Sequence, residues 1–146
     1  MILRTTVFAL LYLVANPLFA ACEATVTVGD TLTYDTSSIV IGADCAEASI
    51  TLTHTGKLPK NAMGHNWVLT KTADFDALAP AGVAAGLEGD YVPAGDARVI
   101  ANTKIVGGGE SDTIKFPVAN LKGGDYTFFC SFPGHWAVMK GSFTVE

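Results

Sequence analysis

Short stretches of alternating apolar and polar residues run through most of the chain. Thr25-Val26-Thr27-Val28 alternates and meets a turn at Gly29-Asp30, and Ile50-Thr51-Leu52-Thr53 and Thr113-Ile114-Lys115-Phe116 repeat the pattern. Leu32-Thr33-Tyr34, Ile39-Val40-Ile41, Asn66–Thr70, the aromatic-rich Tyr126–Phe132 and Ser142–Val145 also read as strands. Successive side chains of a strand point to opposite faces, so Trp67 and Leu69 share one face and Val68 takes the other. Many short strands separated by Gly, Asp and Pro predict an all-β sandwich or barrel.

One segment breaks the period. Thr72–Gly89 is rich in Ala, carries Phe75 and Leu87 as its larger apolar residues, and has Pro80 near its middle. It predicts a short helix, or two turns, on an excursion between strands. Gly107-Gly108-Gly109 predicts a turn; no Lys-Ser/Thr pair follows it, as a phosphate-cradling loop would require.

The first residues read as an address. Met1–Ala20 has Arg4 as its positive region, the apolar run Val7–Ala15, a break at Asn16-Pro17 and small Ala20 at the cut, which is the pattern of a secretory signal. The apolar run is shorter than the ~20 residues a membrane span needs. Residues 21–146 then form one domain, large enough to bury a core, in a compartment where disulfides persist. A minor alternative is lipid anchoring through Cys22, since Phe19-Ala20-Ala21-Cys22 loosely resembles a lipobox. The net charge of −5 and the lack of a Lys/Arg cluster exclude a basic nucleic-acid footprint. With 16% charged and 49% hydrophobic residues, the composition is that of a folded domain.

The chemistry concentrates in Cys130-Ser-Phe-Pro-Gly-His135-Trp-Ala-Val-Met139, where a thiolate, an imidazole and a thioether lie within ten residues. Pro133 and Gly134 force a turn between Cys and His. A second imidazole would complete a His2Cys set with a weak axial Met, the arrangement of blue-copper electron-transfer sites. His65, at the start of a strand, is the candidate. His54 lies on the face of Ile50 and Leu52 and reads as a core or edge histidine. A structural zinc site would call for four strong ligands. Cys22 and Cys45 most economically form a disulfide, leaving Cys130 over; an odd Cys also fits a reactive thiol or intermolecular pairing. The His and Met that follow it favour a ligand.

At this point the chain resembles the azurins, bacterial blue-copper cupredoxins. The resemblance rests on Leu58-Pro59-Lys60-Asn61, Met63-Gly64-His65-Asn66-Trp67-Val68-Leu69, Arg98-Val99-Ile100-Ala101, Phe128-Phe129-Cys130-Ser131-Phe132-Pro133-Gly134-His135 and Met139-Lys140-Gly141, and covers essentially all of 21–146. It implies a Greek-key cupredoxin sandwich of about eight strands with a helical flap. It implies one type 1 copper held by His65, Cys130 and His135, with Met139 as a long axial ligand and the Gly64 carbonyl as a second weak axial contact. Asn66 would tie the two ligand loops together, the Phe132 N–H would point at the Cys130 sulfur and raise the reduction potential, and Cys22–Cys45 would be the family disulfide. Phe129 and Phe132 are expected to keep water from Cys130, and Trp67 to pack in the core. Leu58, Met63, Pro133, Gly134, Trp136 and Ala137 would form an apolar docking patch around the outer edge of His135. Trp136 departs from the smaller residue that azurins commonly carry there, and Asn102 stands where some carry a surface His. His54 matches the family's pH-sensitive internal His.

The expected function is that of a periplasmic carrier shuttling single electrons between redox proteins such as c-type cytochromes or a reductase. It would be a monomer, with no nucleic acid and no stable membrane insertion. Copper storage or delivery is the alternative, though a buried, pre-organised thiolate site releases metal slowly. A copper enzyme would need a further metal or an open coordination position, and His54 is the single histidine left to build one.

Overall fold

The computed structural model describes residues 21–146; the expected signal segment Met1–Ala20 lies outside them. Among the described residues there are eight strands: β1 (Glu23–Val28), β2 (Ser38–Ile41), β3 (Glu47–His54), β4 (Val68–Lys71), β5 (Ala101–Asn102), β6 (Ser111–Pro117), β7 (Tyr126–Phe129) and β8 (Lys140–Val145). They form a three-stranded sheet in the order β1-β3-β6 and a five-stranded sheet in the order β2-β8-β7-β4-β5. The β1/β3 and β2/β8 pairs are parallel and the others antiparallel. No helix among the described residues is long and apolar enough to cross a membrane.

Period-two burial builds the core. In β3 the buried residues are Ala48, Ile50, Leu52 and His54, alternating with half-exposed or exposed Glu47, Ser49, Thr51 and Thr53. They meet Val26 and Val28 of β1, Phe116 of β6, and Ile41, Leu69, Phe128 and Phe143 of the other sheet, with Trp67 fully buried among them. Its indole lies 5.7 Å from the Phe128 ring and 6.1 Å from Phe116, centroid to centroid.

The excursion after β4 is helical, as its composition predicts. A 3-10 turn (Thr72–Asp74) leads into α2 (Phe75–Ala81), followed by 3-10 turns at Gly82–Ala85 and Leu87–Gly89; the single-turn α1 (Lys60–Met63) precedes β4. Pro80 sits inside α2, and the helix ends one residue later. Phe75, Leu78 and Ala79 bury against Val68 and Phe129 to form a second, smaller core. Both faces of β4 are therefore covered, Trp67 and Leu69 by the main core and Val68 by this one.

Two expectations are corrected. Leu32-Thr33-Tyr34 forms no strand; Tyr34 makes a single bridge to Val28. The segment is held by its flanks instead: Asp35 accepts from Thr27 N–H, and Asp30 from the N–H groups of Lys57 and Leu58. Phe129, expected beside Cys130, takes the opposite face of β7 and packs edge-on against Phe75 at 5.2 Å.

Candidate metal centre

Two loops bring the ligand candidates together, one between α1 and β4 and one between β7 and β8. His65 follows the single turn of α1, in which the Ala62 and Met63 N–H groups donate to the Pro59 carbonyl. Gly64 lets the chain leave that turn: a Cβ on it would fall 2.2 Å from the Lys60 carbonyl oxygen. His65 is then pinned by a two-way bridge to Val106, at 3.1 and 2.8 Å. Cys130 immediately follows β7, and Met139 immediately precedes β8. The loop between them is closed at its neck by Cys130 N–H donating to the Met139 carbonyl at 3.1 Å. Inside it the His135 N–H donates to the Phe132 carbonyl and the Met139 N–H to the His135 carbonyl, both at 2.9 Å. Gly134 turns the chain with φ of 84°.

The Cys130 Sγ lies 3.8 Å from His65 Nδ1 and 3.6 Å from His135 Nδ1. The three ligand atoms lie within 4.8 Å of one another, the one such convergence among the described residues. A trigonal ion with N at about 2.0 Å and S at about 2.3 Å requires N···S separations of about 3.7 Å, so the donor set fits a metal at its centre. The set is soft thiolate plus imidazole with no carboxylate, which suits copper. All three residues are buried, His135 least so at 6% exposed, and Met139 is buried with them at 1%.

Hydrogen bonds fix the ligands. The outer His65 Nε2 is 3.0 Å from the Gly29 carbonyl, so it carries the proton and leaves the Nδ1 lone pair facing Cys130. The Cys130 sulfur accepts from the N–H groups of Asn66 and Phe132. In the metal-free chain burial nevertheless pushes the Cys130 thiol up to about 12, against those two bonds. Burial, and next the neighbouring His135, pull His65 down to about 4; burial also lowers His135. The imidazoles would therefore be neutral toward a metal, and the Cys130 thiol would give up its proton on becoming a ligand.

Asn66 joins the two ligand loops. Its Oδ1 accepts from Ser131 N–H, and its Nδ2 donates to Ser131 Oγ and to the Asp90 carbonyl, each at 2.8 Å. Asp90 is a contributor that sequence reading missed. It closes the helical excursion in a left-handed conformation (φ 54°), and its carboxylate accepts from Ile105 N–H at 2.7 Å. Ser131 Oγ and the Gly29 carbonyl were likewise unforeseen; no local pattern marks them.

The remaining expected residues fall as follows. Cys22 and Cys45 form a disulfide. The Phe132 ring lies 4.5 Å from that of His135 and 5.2 Å from Tyr91. Leu58, Gly134 and Ala137 are exposed, and Met63 and Pro133 half-buried. Trp136 is half-buried and packs on the second core beneath the helical excursion. Val138, on the same loop, is an apolar residue 62% exposed. His54 stacks on His65 with ring centroids 5.2 Å apart. Both its nitrogens are used: Nδ1 accepts from Gly56 N–H, and Nε2 lies 3.0 Å from the Met63 carbonyl.

Comparison with known proteins agrees with this geometry. Residues 20–146 match the family model described as copper binding proteins, plastocyanin/azurin family. The chain is 52% identical over 136 residues to an azurin of Bordetella pertussis, covering 92% of this chain and 91% of that one. It is 54% identical over 123 residues to an azurin of Alcaligenes faecalis, covering 84% and 96%. A solved structure of the azurin Az-iso2 from the methylotroph Methylomonas sp. strain J is similar at a TM-score of 0.83 and 51% identity, covering 87% of this chain and 99% of that one.

Proposed function

The chain belongs to the plastocyanin/azurin family of copper-binding proteins, and from that premise we infer that it is a blue-copper electron-transfer protein working in the periplasm. The observation that carries the reading is the convergence of His65, Cys130 and His135 on one buried point. Bound there, copper supplies a one-electron couple between Cu(II) and Cu(I). His65, Cys130 and His135 would hold it as strong ligands, and the Met139 thioether and the Gly64 carbonyl would add weaker contacts.

The protein's part is to hold those ligands still. The Gly29 carbonyl fixes the His65 ring, the Cys130–Met139 backbone hydrogen bond closes the ligand loop, and Asn66 locks that loop to the His65 segment. A set that does not move between oxidation states keeps the reorganisation energy low. Burial keeps water from the sulfur, and the two N–H groups aimed at it favour the state in which the sulfur carries more charge. His135, the least buried of the three, is the electron port. Exposed Leu58, Gly134 and Ala137 and half-buried Met63, Pro133 and Trp136 are the apolar docking surface for redox proteins such as c-type cytochromes or a reductase. The protein acts as a monomeric carrier and no enzyme; His54 has both ring nitrogens engaged and offers no second metal site. No observation favours copper storage or delivery.

The test is the visible spectrum of the mature protein after addition of Cu(II), repeated with Cys130→Ser. An intense thiolate charge-transfer band, bleached by ascorbate and absent from the variant, is the expected result. A colourless protein, or a weak band that survives the substitution, would overturn the reading.

A further inference from the structure

Tyr34 has no part in the site as described so far. Its hydroxyl donates to the main-chain carbonyl of Asn66 at 2.5 Å, across 32 residues of sequence. The ring packs edge-on against Phe128, with centroids 5.5 Å apart. It lines a small surface opening together with Val138, Met139 and Lys140. The neighbouring carbonyls of His65 and Trp67 are taken by the N–H groups of Val106 and Thr103. For the carbonyl of buried Asn66, Tyr34 is the donor.

Asn66 is the residue on which the centre turns. It follows His65 directly, its side chain holds Ser131 beside Cys130, and its N–H points at the Cys130 sulfur. We propose that Tyr34 is a positioning residue for the copper centre: its O–H, by anchoring the Asn66 carbonyl, keeps the Asn66 N–H on the Cys130 sulfur. The proposal rests on the copper reading above.

The physical consequence has a sign. An N–H···S bond draws charge from the thiolate, and the sulfur is more negative when the metal is reduced. Loosening that bond favours the oxidised state and lowers the potential. Burial, and after it the charge at Cys130, hold the Tyr34 phenol well above its ordinary pKa, so it remains a donor throughout the working pH range. Tyr34→Phe removes the hydroxyl and keeps the ring against Phe128.

The experiment compares copper-loaded wild type, Tyr34→Phe and Thr51→Val by voltammetry and visible spectroscopy. Thr51→Val removes a hydroxyl pair with Thr113 at 2.9 Å in the other sheet, a lost hydrogen bond remote from the metal. Tyr34→Phe is expected to lower the potential by the equivalent of a roughly three- to tenfold shift in the oxidised-to-reduced ratio, the scale of one hydrogen bond. The tenfold end corresponds to about 59 mV for one electron. The thiolate band should move with it, and Thr51→Val should change neither. An unchanged potential and band in Tyr34→Phe, or an equal shift in Thr51→Val, would overturn the role of Tyr34 and leave the copper reading standing. A wild type with no Cys130-dependent band would overturn both.

Discussion

Asn66 and Ser131 exchange two hydrogen bonds across 65 residues of sequence, Ser131 N–H to Asn66 Oδ1 and Asn66 Nδ2 to Ser131 Oγ, both at 2.8 Å and both buried. This pair sets the distance between the segment that carries His65 and the loop that carries Cys130 and His135. Ser131 Oγ also reaches the Asp90 carbonyl at 3.3 Å, so the end of the helical excursion joins the same clamp.

Replacing Asn66 by Leu orphans the buried Ser131 N–H. The cost is about 1–3 kcal/mol, the penalty for an unsatisfied buried donor. Guanidinium unfolding of the metal-free protein should show that loss, and the copper-loaded variant should give up its metal faster to a chelator than wild type does.

The metal-free protein should lose stability as pH falls from about 6.5 to about 4. The unfolded chain protonates His65 near its ordinary 6.5, whereas the folded chain resists until about 4 because the ring is buried and faces His135. Between those values the unfolded state binds more protons, so stability rises with pH there and is complete above 6.5. His135 is lowered in the same direction. Midpoints of thermal unfolding across this window check the sign, and His65→Gln should flatten the slope.

The Cys22–Cys45 bond closes a loop with a sequence separation of 23 at the end of β1 far from Gly29. In the chain-entropy picture a loop of that size is worth about 3 kcal/mol. The double replacement Cys22→Ala/Cys45→Ala should lower unfolding free energy by about that much. The thiolate band of the copper-loaded protein should not change, because the bridge lies beyond the end of β1 opposite Gly29, whose carbonyl meets His65.

Trp67 is fully buried, and its Nε1 is the buried side-chain nitrogen or oxygen without a hydrogen-bond partner among the described residues. An indole with neither water nor an acceptor should emit far to the blue. In Trp136→Phe, which leaves Trp67 alone, the emission should be blue, insensitive to iodide, and should move to the red on unfolding. A red, quenchable emission in the folded variant would show that water reaches the core.

Parts of this molecule were written locally. Alternation in β1, β3, β6 and β8 needs only neighbouring residues to be read, because one face of each strand is buried and the other is not. The break of period at Thr72–Gly89 was equally visible. Cys130, His135 and Met139 were legible for the same reason: one loop carries all three, and Pro133 and Gly134 mark its turn. β5 was missed because a two-residue strand has no period, and Leu32-Thr33-Tyr34 misled because its alternation says nothing of the flanking carboxylates of Asp30 and Asp35, which anchor to the backbone of Thr27, Lys57 and Leu58.

The sandwich class, the helical excursion and the ligand types follow from local residue order, and the copper chemistry from the resemblance to the azurins. What holds that chemistry in place emerges when the chain is folded. Folding puts the Gly29 carbonyl on His65, the Asp90 carbonyl on Asn66, and the Tyr34 hydroxyl on the Asn66 backbone, at separations of 36, 24 and 32 residues. The reason is physical: a ligand's identity depends on the donor atom its side chain carries, whereas its orientation depends on polar groups that meet only after the two sheets close.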